Sequence, residues 1–558
     1  MAALPSTSGT RFLLWLAFAL FLVLRVWGLD YDQPPIKIHA DERHYSGIAA
    51  KLQPGDLNPH YFENPPLLTY VLVGAKEWRE LWRGERDTQR WVNRGGLVRL
   101  SRWISALLGT LTAFAVGASA QRLLRSRAAG AVALMLVGVS YLHGRDSHYG
   151  VNDVPMTFLV ALSLLWATHY LLGDRARWLW MSAAAAGLAA ATKYNGAVAV
   201  ALPVAALALR TAGDAQGGGP RPAWGRALLL SGGLVLASLV AFVVVNPYAL
   251  IAFGEFRDGF TSQLETWGDN YIWGQSRAAA PLLYLQASLG MLGWVNLAVA
   301  LFGIVLLWLA DRRVAIFLTV VPVLYLAGMW TKTLFFWRFV LPLLPFLAIA
   351  GAAAWLFLAE RIAPKLTVVP AARRTAVTLG LLVTIGCYEP GIKLVRHDML
   401  AGRRHTWLQA LDWVKANVPN GSHLFLEGYP PRFPDKRYKV WLPRLALDKL
   451  HDAIGEDAEG NATRVVFEGG WLLTDSFYAE GWKGDPEAEH WAGLYGRVDE
   501  IFGPPVAEFA PGPQGDPQPF VLDSLYTPLV DLWSIDRPGH TIRVYYVEPL
   551  KWREVLGI

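Results

Sequence analysis

The sequence predicts a mainly α-helical protein, in which a polytopic bundle of transmembrane helices precedes a water-exposed α/β domain. Of its 558 residues, 53% are hydrophobic and only 17% are charged, whereas an average soluble domain has about 25% charged residues. The mean hydropathy of +0.28 is too apolar for one soluble chain and too mild for a chain that lies wholly in a membrane. Apolar runs long enough to cross a bilayer all precede residue 393, so the two parts follow each other along the chain.

The transmembrane part is predicted from these apolar runs, because a hydrocarbon core of about 30 Å requires about 20 apolar residues in a helix. The first run, 12–29, is followed by no small-residue cleavage site, which predicts an uncleaved span. Two short runs near Ala186 and Ala201 are typical of a broken, partly re-entrant pair. The predicted total is about eleven spans. The other eight are centred near Leu108, Met135, Leu162, Leu236, Val299, Val321, Leu344 and Thr384.

The positions of Arg and Lys predict the orientation of the bundle. Five alternate loops are rich in these residues, for example Arg122, Arg125 and Arg127 in one loop and Arg312 and Arg313 in another. Because basic loops remain on the cytoplasmic side, we expect a multi-pass protein of the plasma (inner) membrane with a cytoplasmic N-terminus. These loops account for the formal charge of +6, so no nucleic-acid partner is expected.

Two domains follow from this topology. Residues 1–392 are predicted to form the transmembrane domain, whose long first external loop covers 30–99, and 393–558 an extracytoplasmic soluble domain. Strand-like runs at 464–467 and 541–547, with ordinary polarity around them, predict α/β structure for the second domain. The single cysteine excludes an intrachain disulfide.

A first acidic cluster follows the first predicted span. The sequence His39-Ala-Asp-Glu-Arg-His-Tyr45 places Asp41 and Glu42 near the membrane edge, where a carboxylate is a functional candidate if a cavity adjoins it. The alternative is structural, since Asp is an ordinary N-cap residue and a helix could run from Glu42 to Lys51. The local sequence leaves both interpretations open.

A second acidic cluster, from His143 to Pro155, precedes the fourth predicted span. Its Asp153 lies shortly before the proline, which is also a good signal for the start of a helix. By the predicted topology Asp153 faces the same side of the membrane as Asp41. Two acidic clusters at the mouths of adjacent helices are therefore expected to converge on one cavity.

Four basic residues on this side are candidates for binding an anionic group, because Arg and Lys are typical partners of phosphate oxygens. Lys193 lies between the two short spans, Arg338 precedes the Pro-rich run 341–346, and Lys332 and Arg25 lie near span ends. For each of them the structural alternative is snorkelling of the charged group to the membrane interface.

Histidines of the two clusters raise the question of a metal ion. His39, His44 and His148 are candidate ligands. However, the sequence has no compact metal-binding spacing such as His-Glu-x-x-His. No cofactor is therefore predicted with certainty, and a divalent cation stays an open alternative.

Taken in order, these residues resemble the membrane glycosyltransferases of the GT-C class, in particular the protein O-mannosyltransferases and the bacterial aminoarabinose transferases. The resemblance extends over nearly the whole chain. Its segments are Asp41-Glu42 with Tyr45, Asn64-Pro-Pro-Leu67, Asp153, Thr192-Lys193, the run from Arg338 to Pro345, and in the C-terminal domain Arg404 to Lys415 and Arg537 to Ile542. Aminoarabinose transferases have Lys before Pro-Pro-Leu, where this chain has Asn64, so a phosphate contact is expected to be lost or replaced there.

The resemblance implies a polyprenyl-phosphate-linked sugar donor and a protein, lipid or polysaccharide acceptor. The sugar would be mannose-like or another hexose or pentose. The resemblance also implies that Asp41 is the principal catalytic carboxylate, with Glu42 beside it, and that Asp153 is a second acidic residue of the site.

It further implies that Lys193 and Arg338 contact the lipid phosphate. Tyr45, Lys332 and Arg25 are additional candidates for contacting the substrate. In the expected reaction, Asp41 removes the proton of an acceptor hydroxyl, which attacks the anomeric carbon with inversion.

Two other classes of protein compete with this interpretation. A transporter or flippase would also place charge inside a helical bundle, but such proteins usually have paired repeats and binding sites at the bilayer midplane. A non-catalytic membrane assembly protein would leave Asp41, Glu42 and Asp153 unexplained.

Overall fold

The computed structural model describes residues 8–30, 39–216, 224–268, 280–332, 335–426, 437–441, 469–476, 498–513, 515 and 532–548. Helices dominate it, and the predicted class of a helical bundle with a small α/β part is confirmed.

The chain divides into two compact units. The first comprises Met1–Leu29, His44–Asn270 and Arg277–Asp398. The second comprises Asp30–Arg43, Tyr271–Ser276 and Met399–Ile558. The second unit thus contains part of the first predicted loop and begins its main segment a few residues beyond the predicted boundary after residue 392.

The helical bundle begins with α1 (Ser8–Val26). The helices that follow are α2 (Ala40–Lys51), α3 (Leu67–Arg83), α4 (Glu85–Asn93), α5 (Gly96–Leu123), α6 (Arg127–Gly138), α7 (Tyr141–Asp146), α8 (Asp153–Leu171), α9 (Arg177–Thr192), α10 (Ala201–Gln216), α11 (Trp224–Val245), α12 (Tyr248–Ile251), α13 (Phe253–Gly268), α14 (Ala280–Leu292), α15 (Trp294–Ala310), α16 (Arg312–Met329), α17 (Leu344–Ile362) and α18 (Arg374–Ala401). Short 3₁₀ helices cover Tyr194–Val200, Trp337–Leu343, Ala363–Lys365 and Ala371–Arg373.

The predicted number of spans is not confirmed. Within the described residues, 7 helices are long and apolar enough to cross a membrane, or up to 8 if α14 and α15 together form one span. The runs near Met135 and Ala186 form helices of only 12 and 16 residues. Between α14 and α15 the chain bends by 109°. Gly293 at this bend has φ 76°, a left-handed conformation that favours a residue without Cβ.

Small residues allow the helices of the first unit to pack closely. A Cβ atom added at Gly303 in α15 would collide with the carbonyl oxygen of Ala350 in α17. A Cβ atom at Gly187 in α9 would collide in the same way with the carbonyl oxygen of Ser238 in α11. Close approach of small residues is a usual basis of helix association in membranes, and here it fixes the helix ends that carry the polar residues described below.

The second unit contains a five-stranded mixed sheet. Its strands are β1 (His423–Leu426), β2 (Lys439–Trp441), β3 (Gly470–Asp475), β4 (Ala507–Phe509) and β5 (Ile542–Val547), arranged in the order β2-β1-β3-β5-β4. β1 runs parallel to β2 and β3, whereas β5 runs antiparallel to β3 and β4.

A helix, α19 (Thr406–Asn417), provides one half of the core of this unit, and a short helix, α20 (Val498–Phe502), precedes β4. Trp407 and Val414 of α19 are buried in one cluster with Leu424, Leu473 and Val544 of the sheet. The predicted strand at 541–547 is β5, and the predicted strand at 464–467 lies outside the described residues.

Candidate functional site

Three side chains that the sequence marks as functional candidates meet inside the first unit. Lys193 Nζ donates a hydrogen bond to Asp153 Oδ1 over 2.6 Å, and Arg338 Nε lies 3.4 Å from Asp153 Oδ2. Asp153 is 3% exposed, and Lys193 and Arg338 are each 6% exposed. Charges so deeply buried are stable only when they are paired. We call these three residues the Asp153 cluster.

The ends of three helical elements position the cluster. Asp153 is the first residue of α8, and Arg338 lies in the 3₁₀ helix Trp337–Leu343 that leads into α17. Lys193 follows the last residue of α9 in an extended conformation (φ −154°, ψ 131°), from which the chain enters the 3₁₀ helix Tyr194–Val200. The two short apolar runs predicted as a broken pair are thus interrupted at Lys193.

Aromatic rings lie against both cations of the cluster. Lys193 Nζ is 4.8 Å from the ring centroid of Phe339, and the Arg338 guanidinium carbon is 4.2 Å from that of Phe336. Such cation–π contacts contribute about 0.5–2 kcal/mol, with the larger values in desolvated sites. Tyr325 donates a hydrogen bond to the Phe339 carbonyl over 2.7 Å and so holds the 3₁₀ helix in place.

Two amide side chains next to the cluster were not singled out from the sequence. Within the described part of the chain, Asn152 Oδ1 and Nδ2 and Asn195 Oδ1 are buried without a hydrogen-bond partner. Leaving a buried polar atom unpaired costs about 1–3 kcal/mol, so these atoms are candidates for binding the hydroxyl groups of a polar ligand. The only available signal was their position in sequence beside Asp153 and Lys193.

Arg25 has a different environment from the one expected for a phosphate ligand. Its side chain is fully buried. Nη1 donates to the carbonyls of Phe21 and Gly138 over 3.0 and 3.1 Å, and Nη2 lies 3.3 Å from the carbonyl of Val137 and 3.1 Å from His143 Nδ1. These bonds connect α1 to the end of α6, and they favour a structural role.

Asp41 and Glu42 lie in the first turn of α2, which begins at Ala40. The predicted N-cap role of Asp41, in a helix that would begin at Glu42, is therefore wrong, because Asp41 lies inside the helix. Carboxylates in a first turn also interact favourably with the helix dipole. Glu42 is buried and Asp41 is partly exposed. Both belong to the second unit and Asp153 to the first. The expected convergence of the two acidic clusters stays a prediction.

The remaining candidates of the first predicted loop lie on or near α2. His39 directly precedes this helix and is buried, and its carbonyl accepts a hydrogen bond from the Arg43 amide over 3.1 Å. Tyr45 is buried, whereas His44 is exposed and its ring centroid lies 4.2 Å from that of Tyr61.

Asn64, where aminoarabinose transferases have Lys, donates a hydrogen bond to the Tyr61 hydroxyl over 3.0 Å. This amide therefore supports the aromatic side chain next to it. Lys332 is partly exposed in the turn that follows α16. Its role as a phosphate ligand stays a prediction.

A comparison with protein families gives a match over part of the chain. The family model described as dolichyl-phosphate-mannose-protein mannosyltransferase matches residues 63–250, a segment that contains Asp153 and Lys193. This segment is less than half of the chain. A search of the curated proteins finds no significant match.

Solved structures with a similar fold include ArnT from Cupriavidus metallidurans bound to undecaprenyl phosphate. Its TM-score is 0.53 at 14% identity, and the alignment covers 97% of this chain and 98% of that one. The oligosaccharyltransferase of Archaeoglobus fulgidus has a TM-score of 0.47 at 13% identity and coverages of 85% and 71%. The Pmt1-Pmt2 complex of S. cerevisiae has a TM-score of 0.31 at 17% identity and coverages of 48% and 36%. Only the first of these scores is high enough to establish a common fold.

The family match and the ArnT-like fold confirm the predicted class. The chain resembles the multi-pass membrane glycosyltransferases: residues 63–250 match the mannosyltransferase family model, and the whole chain has the fold of ArnT.

Proposed function

We propose that the chain transfers a sugar, with inversion, from a polyprenyl-phosphate donor to an acceptor hydroxyl on the extracytoplasmic side of the membrane. One observation carries this proposal. The segment that matches the mannosyltransferase family contains Asp153 and Lys193, which form a buried ion pair with an Oδ1–Nζ distance of 2.6 Å. Sequence similarity and a polar site built into the bundle therefore coincide.

The Asp153 cluster suits the phosphate group of the donor. Lys193 and Arg338 are already buried and held beside a carboxylate, so they need little reorganisation to interact with a second anion. Charge-assisted hydrogen bonds to phosphate are roughly twice as strong as neutral ones. A structure with the same fold, ArnT, holds undecaprenyl phosphate, which supports a polyprenyl phosphate as the lipid part of the donor.

An apolar cleft of the first unit suits the isoprenoid part. It has a volume of about 500 Å³ and is lined by residues from α3, the end of α11 and the start of α12, among them Leu67, Val71, Val244 and Tyr248. Among the described residues that line it, Glu77 is the only charged one. Lipid-like ligands bind in clefts of this size and composition, and all four apolar residues belong to the family-matched segment.

In the proposed reaction, the Asp41 carboxylate accepts the proton of the acceptor hydroxyl. The hydroxyl oxygen forms a bond to the anomeric carbon on the face opposite to the phosphate. The bond between the anomeric carbon and the phosphate oxygen breaks, and its electron pair stays on the phosphate. Lys193 and Arg338 stabilise the charge that develops there. Glu42 and Tyr45 would support the base and the sugar, and Asn152 and Asn195 would hydrogen-bond sugar hydroxyls.

The proposal can be tested with the purified protein in liposomes that contain radiolabelled polyprenyl-phosphate mannose. Release of free polyprenyl phosphate in the presence of an acceptor extract would support transfer. Movement of the intact lipid-linked sugar across the bilayer, without release, would support the transporter alternative. Other polyprenyl-phosphate hexoses and pentoses, tested in parallel, identify the sugar.

The first prediction concerns the catalytic base. Asp41→Asn should insert normally but transfer at least about 100-fold more slowly, because a positioned base contributes about 10²- to 10⁴-fold. Asp87→Asn is a suitable control, since Asp87 lies in the same predicted loop and forms an exposed ion pair with Arg79. Transfer by Asp41→Asn at the rate of this control would exclude Asp41 as the base.

A further inference from the structure

A group of metal-ligating side chains lies in the first unit outside the Asp153 cluster. His148 stands in the segment between α7 and α8, and His397 and Asp398 are neighbours in α18. All three are buried, and one ligand atom of each lies within 4.8 Å of the others. His148 Nε2 is 3.4 Å from Asp398 Oδ1, and His397 Nδ1 is 3.1 Å from the same oxygen.

Hydrogen bonding alone does not satisfy His148. Its Nδ1 lies 2.9 Å from the Gly144 carbonyl oxygen, and its Nε2 lies 3.0 Å from the Trp27 carbonyl oxygen as well as near Asp398. A neutral imidazole has one N–H and cannot donate at both nitrogens. If Nδ1 donates to Gly144, the Nε2 lone pair therefore faces two oxygen atoms.

Asp398 has a corresponding deficit. Its side chain is fully buried, and among the residues that the structure describes Oδ2 has no hydrogen-bond partner. An ionised carboxylate in this position is costly unless a cation compensates it. Arg25 interacts with Asp398 electrostatically, but the hydrogen bonds of its guanidinium go to backbone carbonyls and His143.

We propose that His148, His397 and Asp398 form a binding site for a divalent transition metal, for which Zn²⁺ is the best fit. Zn²⁺ binds imidazole nitrogen at about 2.0–2.1 Å and carboxylate oxygen at about 2.0–2.2 Å, so the ligand atoms of a tetrahedral site are about 3.3–3.6 Å apart. The observed separations of 3.1 and 3.4 Å are close to these values. Mg²⁺ and Ca²⁺ prefer ligand sets made of oxygen.

The surroundings of the three ligands are those of a metal site. Donation from His148 Nδ1 to the Gly144 carbonyl fixes the ring and leaves Nε2 for the metal, which is the usual arrangement of a ligating histidine. The Trp27 carbonyl is close enough to Nε2 to be a fourth ligand. The ion would tie α18 to the segment that leads into α8, whose first residue is Asp153. It would therefore have a structural role, independent of the proposed reaction.

The test is the metal content of the full-length chain, purified without a polyhistidine tag and equilibrated with Zn²⁺ before dialysis. We expect about one Zn²⁺ per chain. The variants His397→Ala and Asp398→Asn should each retain at least about ten-fold less Zn²⁺ than the wild-type chain. His169→Ala is the control, because the partly exposed His169 is also paired with a carboxylate, that of Asp174, elsewhere in the bundle, and this variant should retain the metal.

Three further measurements separate metal binding from simple misfolding. Asp398→Glu keeps a carboxylate ligand and should restore Zn²⁺ binding, and Co²⁺ loaded into the wild-type chain should show the visible absorption of a tetrahedral site. A chelator should lower the thermal midpoint of the wild-type chain but not that of His397→Ala. Less than about 0.1 Zn²⁺ or Co²⁺ per wild-type chain, or undiminished metal in the His397→Ala, Asp398→Asn double variant, would overturn the proposal.

Discussion

Arg25 and Arg338 are both buried arginines of the first unit, but their partners differ. Arg25 donates to the backbone carbonyls of Phe21, Val137 and Gly138. Arg338 lies 3.4 Å from the carboxylate of Asp153. Carbonyl partners belong to the backbone and are fixed with it, whereas a carboxylate can share its cation with an incoming anion. The comparison teaches that the burial of a cation does not by itself indicate its role. The charge of the group that it contacts is the better indication.

Lys193 shows the same distinction in a second residue type. Its ammonium group donates to Asp153 and lies against the ring of Phe339. A phosphate that entered the cluster would compete with Asp153 for the same donor. We therefore propose that Lys193 and Arg338 bind substrate and that Arg25 stabilises the bundle.

Among the variants that test this comparison, Lys193→Met is expected to have the largest effect. Removal of one preorganised donor from a developing anion costs about 10²- to 10³-fold in rate, so transfer should fall by that factor. Lys365→Met, at an exposed lysine after α17, should transfer like the wild-type chain. The measurement is release of free polyprenyl phosphate in liposomes at equal amounts of inserted protein. Equal rates of transfer for the two variants would show that Lys193 does not bind the substrate phosphate.

Arg25→Met should affect stability and leave the chemistry intact. The variant leaves the carbonyls of Phe21, Val137 and Gly138 without this donor, at a cost of about 1–3 kcal/mol for each group that stays unpaired. We expect a lower thermal midpoint in detergent and a wild-type rate of transfer per folded molecule at low temperature. A loss of transfer as large as that of Lys193→Met, in protein that is still folded, would show that Arg25 binds substrate after all.

The smallest effect is expected at an exposed pair. Arg543 Nε donates to Glu508 Oε2 over 2.7 Å across β4 and β5, and the two side chains are 44% and 45% exposed. Such pairs contribute about 0–1 kcal/mol. Arg543→Ala, Glu508→Ala and the double variant form a cycle in which the coupling free energy of unfolding should stay below about 1 kcal/mol. A larger coupling free energy would mean that the charge of a partner stabilises the fold strongly even where both side chains are exposed.

Local patterns allowed much of the architecture to be predicted. Apolar runs indicated the bundle, the break at Lys193 and the strand at 541–547, because helix and strand periodicity depend on neighbouring residues. The number of spans was harder to predict from the sequence. A run of apolar residues near Val299 does not reveal that Gly293 bends the chain by 109°, since a positive φ at glycine is selected by packing around it.

The candidate site was predictable as a set of residue types but not as an arrangement. Asp153 and Lys193 are 40 residues apart, and nothing local to either residue encodes their contact. The environment of Arg25 was inaccessible from the sequence for a related reason. Its partners are backbone carbonyls, which every residue has, so they leave no trace in the sequence.

The sequence by itself determined a membrane bundle, a following α/β part and a stock of charged residues near helix ends. It could do so because hydrophobicity and helix propensity act over one or two turns. Only the tertiary structure decided which polar side chains meet: Asp153 with Lys193 and Arg338, and His148 with Asp398. Burial makes unpaired charge costly, and packing between distant helices decides which partners are within reach.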